Sequence, residues 1–321
     1  MPDDAAIRLV CFARFAEPGA AHFLDGVTAE LSSLGHDVVI AAPGDDIAAC
    51  LERADAAIVH DSLPPQQAAE IGRLCPTRCR LLFRHSGLQG LDPQGFDLSD
   101  YDGVLAANQA IAELCRDHMN PQVWLWPDAA DTRRFHPQPP DEMEGDLIYF
   151  GAWGDESRGV EMRRYLMEPV KLLKLKARVH GPAYPAAAQA QLRQAGVDYG
   201  GWIEHRRIPR LLARYRCTVH LPSRDWARDR PGLPSIRMFE AMACGVPVVS
   251  APWTDCDGLF EPGRDFLLAR DEADMRRHLR AVVSDPAMAQ EIACNALAAI
   301  TRRHTCAHRA QALLTIVGRA A

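Results

Sequence analysis

Short apolar segments alternate with helical segments along the chain, and this alternation constrains the fold more than any other feature. The apolar segments are rich in Val, Ile and Leu and lack the alternating polar positions of half-exposed strands. Strands of this kind, separated by helices, are typical of a parallel sheet covered by helices on both faces. The predicted strands are 7–12, 38–42, 56–60, 80–83, 104–107, 123–126, 147–150, 177–180, 218–221 and 246–250.

A proline-rich, acidic segment between His136 and Asp146 interrupts this alternation and cannot form a buried element. The chain has 321 residues, a length typical of two domains. We therefore predict an α/β fold of two Rossmann-like, doubly wound parallel-sheet domains that face a cleft. The first domain is predicted at residues 1–140 and the second at residues 141–321. We leave open that the last helix packs back on the first domain.

Composition limits the partners and the location of the protein. The chain has 36 Lys and Arg against 42 Asp and Glu, so its net charge of −6 disfavours general nucleic-acid binding. It has no apolar run of about 18 residues that predicts a membrane span, and its acidic start does not resemble a secretory signal. We expect a cytoplasmic protein with reduced cysteines. Peripheral membrane contact and the oligomeric state are left open.

Several common catalytic and nucleotide-binding motifs are absent from the sequence. Neither G-x-G-x-x-G nor the P-loop motif occurs, which disfavours a dinucleotide-dependent dehydrogenase and a P-loop phosphotransferase. The G-x-S-x-G motif of serine hydrolases is also missing. The triplets at 100–102 and 255–257 have the D-x-D pattern that holds divalent cations, but chance triplets are expected in an acidic chain. Cys75 and Cys79 lack the further ligands of a zinc site. We predict no metal site and no cofactor.

The most informative segment runs from residue 231 to residue 250. Ser235 is a suitable helix N-cap and Gly245 a suitable C-terminal stop, so a short helix leads directly into a buried strand. The free N–H groups at the helix start, next to Arg237, predict an anion site. Glu240 lies roughly 7 Å further along the helix axis. This spacing suits a diphosphate at the helix start and a ribose diol at the carboxylate.

Four segments, in order, resemble family 4 glycosyltransferases, which have the two-domain GT-B fold. Residues 239–250 are similar to the nucleotide-binding segment of that family, and 200–203 to its nucleobase loop. Residues 126–137 resemble its N-G-x-D-x-x-x-F-x-P segment, although Asp128 and Ala129 replace the Asn-Gly pair. In the tail, residues 258–265 and 303–309 are similar to the spore-coat-maturation branch. The resemblance makes residues 1–140 the acceptor-side domain and residues 141–321 the nucleotide-sugar-binding domain.

The resemblance implies a glycosyltransferase that moves a sugar from a nucleoside-diphosphate-sugar donor to an unknown acceptor. It further implies retention of anomeric configuration and no metal requirement. Arg158 is the available cation after the first strand of the second domain, while the family's clamping Arg and Lys are not in register. The predicted catalytic residues are His85, Arg158 and Arg237. The predicted substrate-binding residues are Gly151, Trp153, Gly181, Trp202, Ile203, Ser235, Ile236 and Glu240.

His85 follows a predicted strand, where side chains of parallel sheets reach ligands. His60 ends another strand and is its competitor for the same role. The chain also departs from the family at Gly232, which stands where the family has a first glutamate near the donor sugar. Asp225 and Asp229, in an Arg-rich loop, are the residues that might replace it. Three alternatives therefore stay open: a sugar-nucleotide 2-epimerase of this fold, a nucleotide-binding protein without transfer activity, and a non-enzymatic scaffold.

Overall fold

A computed structural model of the chain describes residues 6–13, 20–42, 44–85, 96–118, 122–139, 142–154, 156–222 and 232–318. The chain divides into two compact units. Unit 1 comprises residues 1–129 and 306–321, and unit 2 comprises residues 130–305. In the described ranges, no helix is both long and apolar enough to cross a membrane.

Unit 1 contains a six-stranded parallel sheet in the order β2–β1–β3–β4–β5–β6. Strand β3 is buried along its whole length, as expected for a central parallel strand with helices on both faces. The strands are β1 (Arg8–Phe12), β2 (Asp37–Ala41), β3 (Ala56–His60), β4 (Arg80–His85), β5 (Gly103–Ala106) and β6 (Val123–Leu125). The helices between them are α1 (Ala20–Ser33), α2 (Ile47–Leu51), α3 (Pro65–Leu74) and α4 (Gln109–His118).

Unit 2 contains a second six-stranded parallel sheet, in the order β12–β11–β10–β7–β8–β9. The strands are β7 (Gly145–Phe150), β8 (Ala177–His180), β9 (Val197–Tyr199), β10 (Tyr215–His220), β11 (Val248–Ser250) and β12 (Leu267–Leu268). The helices are α5 (Glu156–Met162), α6 (Glu168–Leu173), α7 (Ala186–Gln194), α8 (Ile208–Leu212), α9 (Ile236–Ala243), α10 (Glu272–Ser284) and α11 (Pro286–Arg303). A π-helical turn, Arg163–Met167, joins α5 to α6.

The core of unit 2 lies on both faces of its sheet, because successive side chains of a strand point to opposite faces. Leu147 and Tyr149 of β7 pack into one apolar cluster, and Ile148 and Phe150 pack into the other. The predicted architecture of parallel sheets covered on both faces is confirmed.

The C-terminal region from residue 286 to residue 318 contains two helices. Helix α11 ends at Arg303, and α12 (Cys306–Gly318) follows. His304 leaves the helix, and its carbonyl accepts a hydrogen bond from the Ala130 N–H at 2.8 Å. Helix α12 belongs to unit 1, where it packs against α1. The observed division of the chain therefore lies earlier than residue 140 and returns α12 to the first unit.

Candidate active site

Glu240 is the centre of the candidate site in unit 2. It lies on α9, which begins after Ser235 as the sequence predicts, and its side chain is buried between apolar neighbours of the same helix. Arg237 Nη1 donates a hydrogen bond to Glu240 Oε2 at 2.5 Å, one turn earlier on the helix. His205 Nε2 lies 2.6 Å from Glu240 Oε1. The buried carboxylate thus has the partners that burial requires.

The charge state of Glu240 follows from these contacts. Burial alone raises the pKa of a carboxyl group, since it penalises the charged form. Here the positive charge of Arg237 and the hydrogen bond from His205 outweigh burial, and the pKa of Glu240 is lowered. Glu240 is therefore an ionised acceptor at neutral pH.

The segment that opens unit 2 reaches the same site through Arg134. Arg134 Nη1 lies 3.3 Å from His205 Nδ1, and Arg134 also pairs with Asp131, at 4.0 Å between Nε and Oδ2. The Phe135 ring packs against the His205 ring, with centroids 4.8 Å apart. The segment that resembles the family's D-x-x-x-F motif thus contacts His205 through two of its residues.

His220 fixes the start of helix α9. Its Nε2 accepts the Ser235 N–H at 3.2 Å, and its Nδ1 lies 2.9 Å from Ser250 Oγ. Burial, followed by the charge of Arg158, lowers the pKa of His220 to about 3, so the ring is neutral. Ser235 occupies the N-cap position, but its side chain makes no capping hydrogen bond. Ile236 and Arg237 hold the first N–H groups of α9, which have no acceptor within the helix.

Two glycines bring backbone close together where β7 and β8 end. The Gly151 N–H donates to the His180 carbonyl at 2.9 Å, and the Gly181 N–H donates to the Gly201 carbonyl at 3.1 Å. A Cβ at Gly181 would overlap the Gly151 carbonyl, and a Cβ at Gly151 would overlap the Tyr149 hydroxyl. Only glycine fits at Gly181, where the overlap is with backbone, whereas a larger residue at Gly151 would require the Tyr149 ring to shift.

Trp153 and Arg158 follow this glycine edge. The Trp153 ring packs edge-on against Tyr184, with centroids 5.6 Å apart, and is half-buried. Arg158 is also half-buried. Burial raises the pKa of Tyr184 and the charge of Arg158 partly offsets this, while burial and the charge of Arg158 both lower the pKa of His220. Arg158 therefore lies near the two residues that frame the glycine edge and the start of α9.

The predicted nucleobase loop lies directly before His205. Trp202 is 58 % exposed, whereas Ile203 is half-buried and packs on the core. An exposed tryptophan next to an anchored loop is a surface on which a planar base can stack. The predicted site residues that lie in unit 2 are Gly151, Trp153, Arg158, Gly181, Trp202, Ile203, Ser235, Ile236, Arg237 and Glu240.

Other predicted residues lie in unit 1 or outside the described part. His85 ends β4, but its side chain is outside the described residues, as are Asp225 and Asp229. His60 is buried, and its Nδ1 accepts the Ser62 N–H at 3.0 Å. Gly232 has a φ of +86°, and a Cβ there would lie 3.0 Å from Cys256 Cβ.

The D-x-D triplets stabilise loops. Asp255 Oδ2 accepts the Phe260 N–H at 2.8 Å, and Asp102 Oδ2 accepts the Leu81 N–H at 2.7 Å. Within the described ranges, no three His, Cys, Asp or Glu side chains are arranged to hold a metal ion.

Sequence reasoning missed His205, Arg134 and His220. The lowered pKa of Glu240 depends on His205, which lies 35 residues away in sequence, and Arg134 is 71 residues from His205. The one available signal is that a carboxylate flanked by apolar residues on a helix needs a hydrogen-bond donor when it is buried, which does not tell which residue supplies it.

Residues 162–315 match a family model described as glycosyl transferase-like. The chain matches no curated protein in sequence. It does match solved structures at low sequence identity over nearly its whole length. A glycosyltransferase from Rickettsia africae is 10 % identical, with a TM-score of 0.75 over 98 % of each chain.

Two further structures show the same fold. Sucrose-phosphate synthase from Thermosynechococcus elongatus is 13 % identical, with a TM-score of 0.71 over 98 % of this chain and 99 % of that one. HepE from Anabaena, solved with UDP and glucose, is 16 % identical, with a TM-score of 0.70 over 97 % and 99 % of the two chains. The expected GT-B fold is confirmed, and the expectation of a glycosyltransferase is confirmed at the level of the family domain and the fold. Placement in family 4 and in the spore-coat branch stays a prediction.

Proposed function

We propose that this chain is a glycosyltransferase that takes a sugar from a UDP-sugar and transfers it to an acceptor of unknown chemistry. The observation that carries the proposal is the buried, ionised Glu240 behind the N-terminus of α9, next to Arg237. UDP is the nucleotide named in the HepE complexes, which have this fold.

The donor is held by groups that match its parts. The N–H groups of Ile236 and Arg237 and the charges of Arg237 and Arg158 complement the diphosphate. A carboxylate has about four acceptor positions, of which Arg237 and His205 use two, so Glu240 retains acceptors for the ribose hydroxyls. Trp202 offers its exposed ring to the base.

Charge stabilisation is the proposed source of catalysis. As the sugar leaves, negative charge develops on the diphosphate, and fixed donors aimed at such charge are usually the largest catalytic factor. Arg158, Arg237 and the α9 N-terminus supply these donors. We propose, from the family resemblance, that transfer retains the anomeric configuration and needs no metal ion. Activity that persists in EDTA is the expected result.

A second candidate, a nucleotide-binding protein without transfer activity, is favoured by one observation. Gly232 stands at the position of the family's first glutamate, and its left-handed backbone, with a Cβ position 3.0 Å from Cys256 Cβ, disfavours any larger residue. Contact with the donor sugar must therefore come from another residue, or be absent.

Two measurements test these proposals. A thermal-shift panel of UDP, GDP, dTDP, ADP and CDP should show the largest shift with UDP; no shift with any nucleotide contradicts nucleotide binding altogether, and a larger shift with GDP contradicts the choice of base. Release of UDP from UDP-glucose, measured with and without candidate acceptors, then tests turnover. Binding without turnover favours the second candidate, and conversion of the sugar nucleotide without an acceptor favours an epimerase.

A further inference from the structure

His205 lies between Arg134 and Glu240, and its neighbours determine where its proton is. A guanidinium has only hydrogen-bond donors, so Arg134 Nη1, at 3.3 Å, requires an unprotonated Nδ1 as acceptor. The proton of the neutral ring is then on Nε2, which donates to Glu240 Oε1 at 2.6 Å. The opposite tautomer would set two donors against each other at Arg134 and two acceptors against each other at Glu240.

Arg134 disfavours an imidazolium, because a doubly protonated ring would direct an N–H at the guanidinium, whereas the Glu240 carboxylate favours one; in either state Nε2 carries a proton. The Arg134 side chain is 37 % exposed, whereas those of His205 and Glu240 are 9 % and 3 % exposed. The ring is further held by Phe135, and Arg134 by Asp131. The Nε2 N–H of His205 therefore donates to Glu240 in a fixed direction.

The position of His205 in the chain adds a second consequence. It opens the 3₁₀ turn His205–Arg207, directly after the loop that carries Trp202 and Ile203. A shift of this loop therefore moves the donor that orients the Glu240 carboxylate.

We propose that Arg134 and His205 are positioning residues that aim the Glu240 carboxylate at the ribose hydroxyls of the donor. This inference rests on the proposed function. It goes beyond it by assigning ribose recognition to a three-residue relay, Arg134–His205–Glu240, and by linking that relay to the base-binding loop.

The test uses the full chain with UDP and 2′-deoxy-UDP as probes, and isothermal titration calorimetry as the measurement. Wild type should bind UDP about tenfold more tightly than 2′-deoxy-UDP, because the deoxy compound lacks one hydrogen bond to a charged acceptor. His205→Phe keeps a ring against Phe135 and removes the donor, and should reduce this preference to about twofold or less. His205→Gln places an amide N–H near the Nε2 position and should retain most of it.

Arg134→Met removes the donor that fixes the tautomer of His205, and it should also weaken the preference for UDP over 2′-deoxy-UDP. This variant decides the test if His205→Phe does not fold. Melting without ligand shows whether each variant is folded. A merely structural role would lower the affinity for both probes equally and leave their ratio unchanged. An unchanged ratio in His205→Phe or Arg134→Met, or no preference in wild type, overturns the inference. Absence of any UDP binding by wild type instead overturns the proposed function.

Discussion

Replacing Glu240 by Gln tests the candidate site directly. Glutamine keeps the shape of the side chain but removes the charge that Arg237 and His205 stabilise. Its amide also places a donor towards one of two groups that are themselves donors. A hydrogen bond to a charged group contributes about 1.5–3 kcal/mol. If the ribose loses one such bond in Glu240→Gln, the affinity for UDP should fall about 10- to 100-fold.

The expected thermal shift follows from mass action. UDP at 100 times the wild-type Kd stabilises the folded protein by about 2.7 kcal/mol. At the same concentration, the variant gains only about 0.4–1.4 kcal/mol. For a unit the size of residues 130–305, each kcal/mol changes Tm by about 2–4 °C. The UDP-induced shift should therefore fall from about 5–10 °C in wild type to half of that or less.

Asp274→Asn is the matched control. Asp274 is also a buried carboxylate of unit 2 with two arginine partners, Arg270 and Arg277, each at 2.6 Å. Its substitution should lower the Tm without ligand and leave the UDP-induced shift unchanged. If Glu240→Gln shows the same UDP-induced shift as wild type, Glu240 does not contact the nucleotide and the assignment of the site is wrong.

Three further predictions concern the two units separately. Leu313 is fully buried in α12, so Leu313→Ala should lower the free energy of unfolding of unit 1 by about 2–5 kcal/mol in urea. The control, Thr315→Ala at an exposed position of the same helix, should leave it unchanged. A loss of stability confined to unit 2 would contradict the division of the chain. Burial lowers the pKa of His220 to about 3, against about 6.5 in the unfolded chain. The wild-type free energy of unfolding should therefore fall below pH 6.5 by up to about 1.4 kcal/mol per pH unit, and His220→Gln should lack this contribution. Equal slopes of unfolding free energy against pH for the two proteins, between pH 7.5 and 5, would refute this. His85→Ala should lower kcat for sugar transfer and preserve UDP binding, whereas His60→Ala should lower Tm; the reverse pattern would select His60.

The sheets were predictable because central parallel strands are continuous apolar runs. The two strands that the sequence prediction missed lack that property. Val197–Tyr199 is a three-residue edge strand with an exposed Asp198, and Leu267–Leu268 contains only two residues. The predicted break near residue 140 followed composition, whereas the structure attaches Ala130 and Phe135 to the core of unit 2. Composition identifies the polar segment but not the unit against which its neighbours pack.

The site was predictable where its residues share one helix. Arg237 and Glu240 are three residues apart, so helical geometry alone places them together. The residues of other strands and loops that contact this helix were not predictable. His220, 15 residues before Ser235, takes the Ser235 N–H, while the Ser235 side chain makes no capping bond. Contacts of this kind depend on how strands and loops are arranged in space, which local sequence patterns do not encode.

Gly232 separates two parts of the proposed activity. A glutamate at this position would be strained, because it would have to adopt a φ near +86° with its Cβ 3.0 Å from Cys256 Cβ. The second glutamate, Glu240, keeps its burial and both of its partners. In the proposed site, Glu240 belongs to recognition of the nucleotide and the position of Gly232 to recognition of the sugar. A response to UDP therefore tests the proposed nucleotide-binding groups, Glu240 among them, and the groups that select the sugar must be sought in residues other than Gly232.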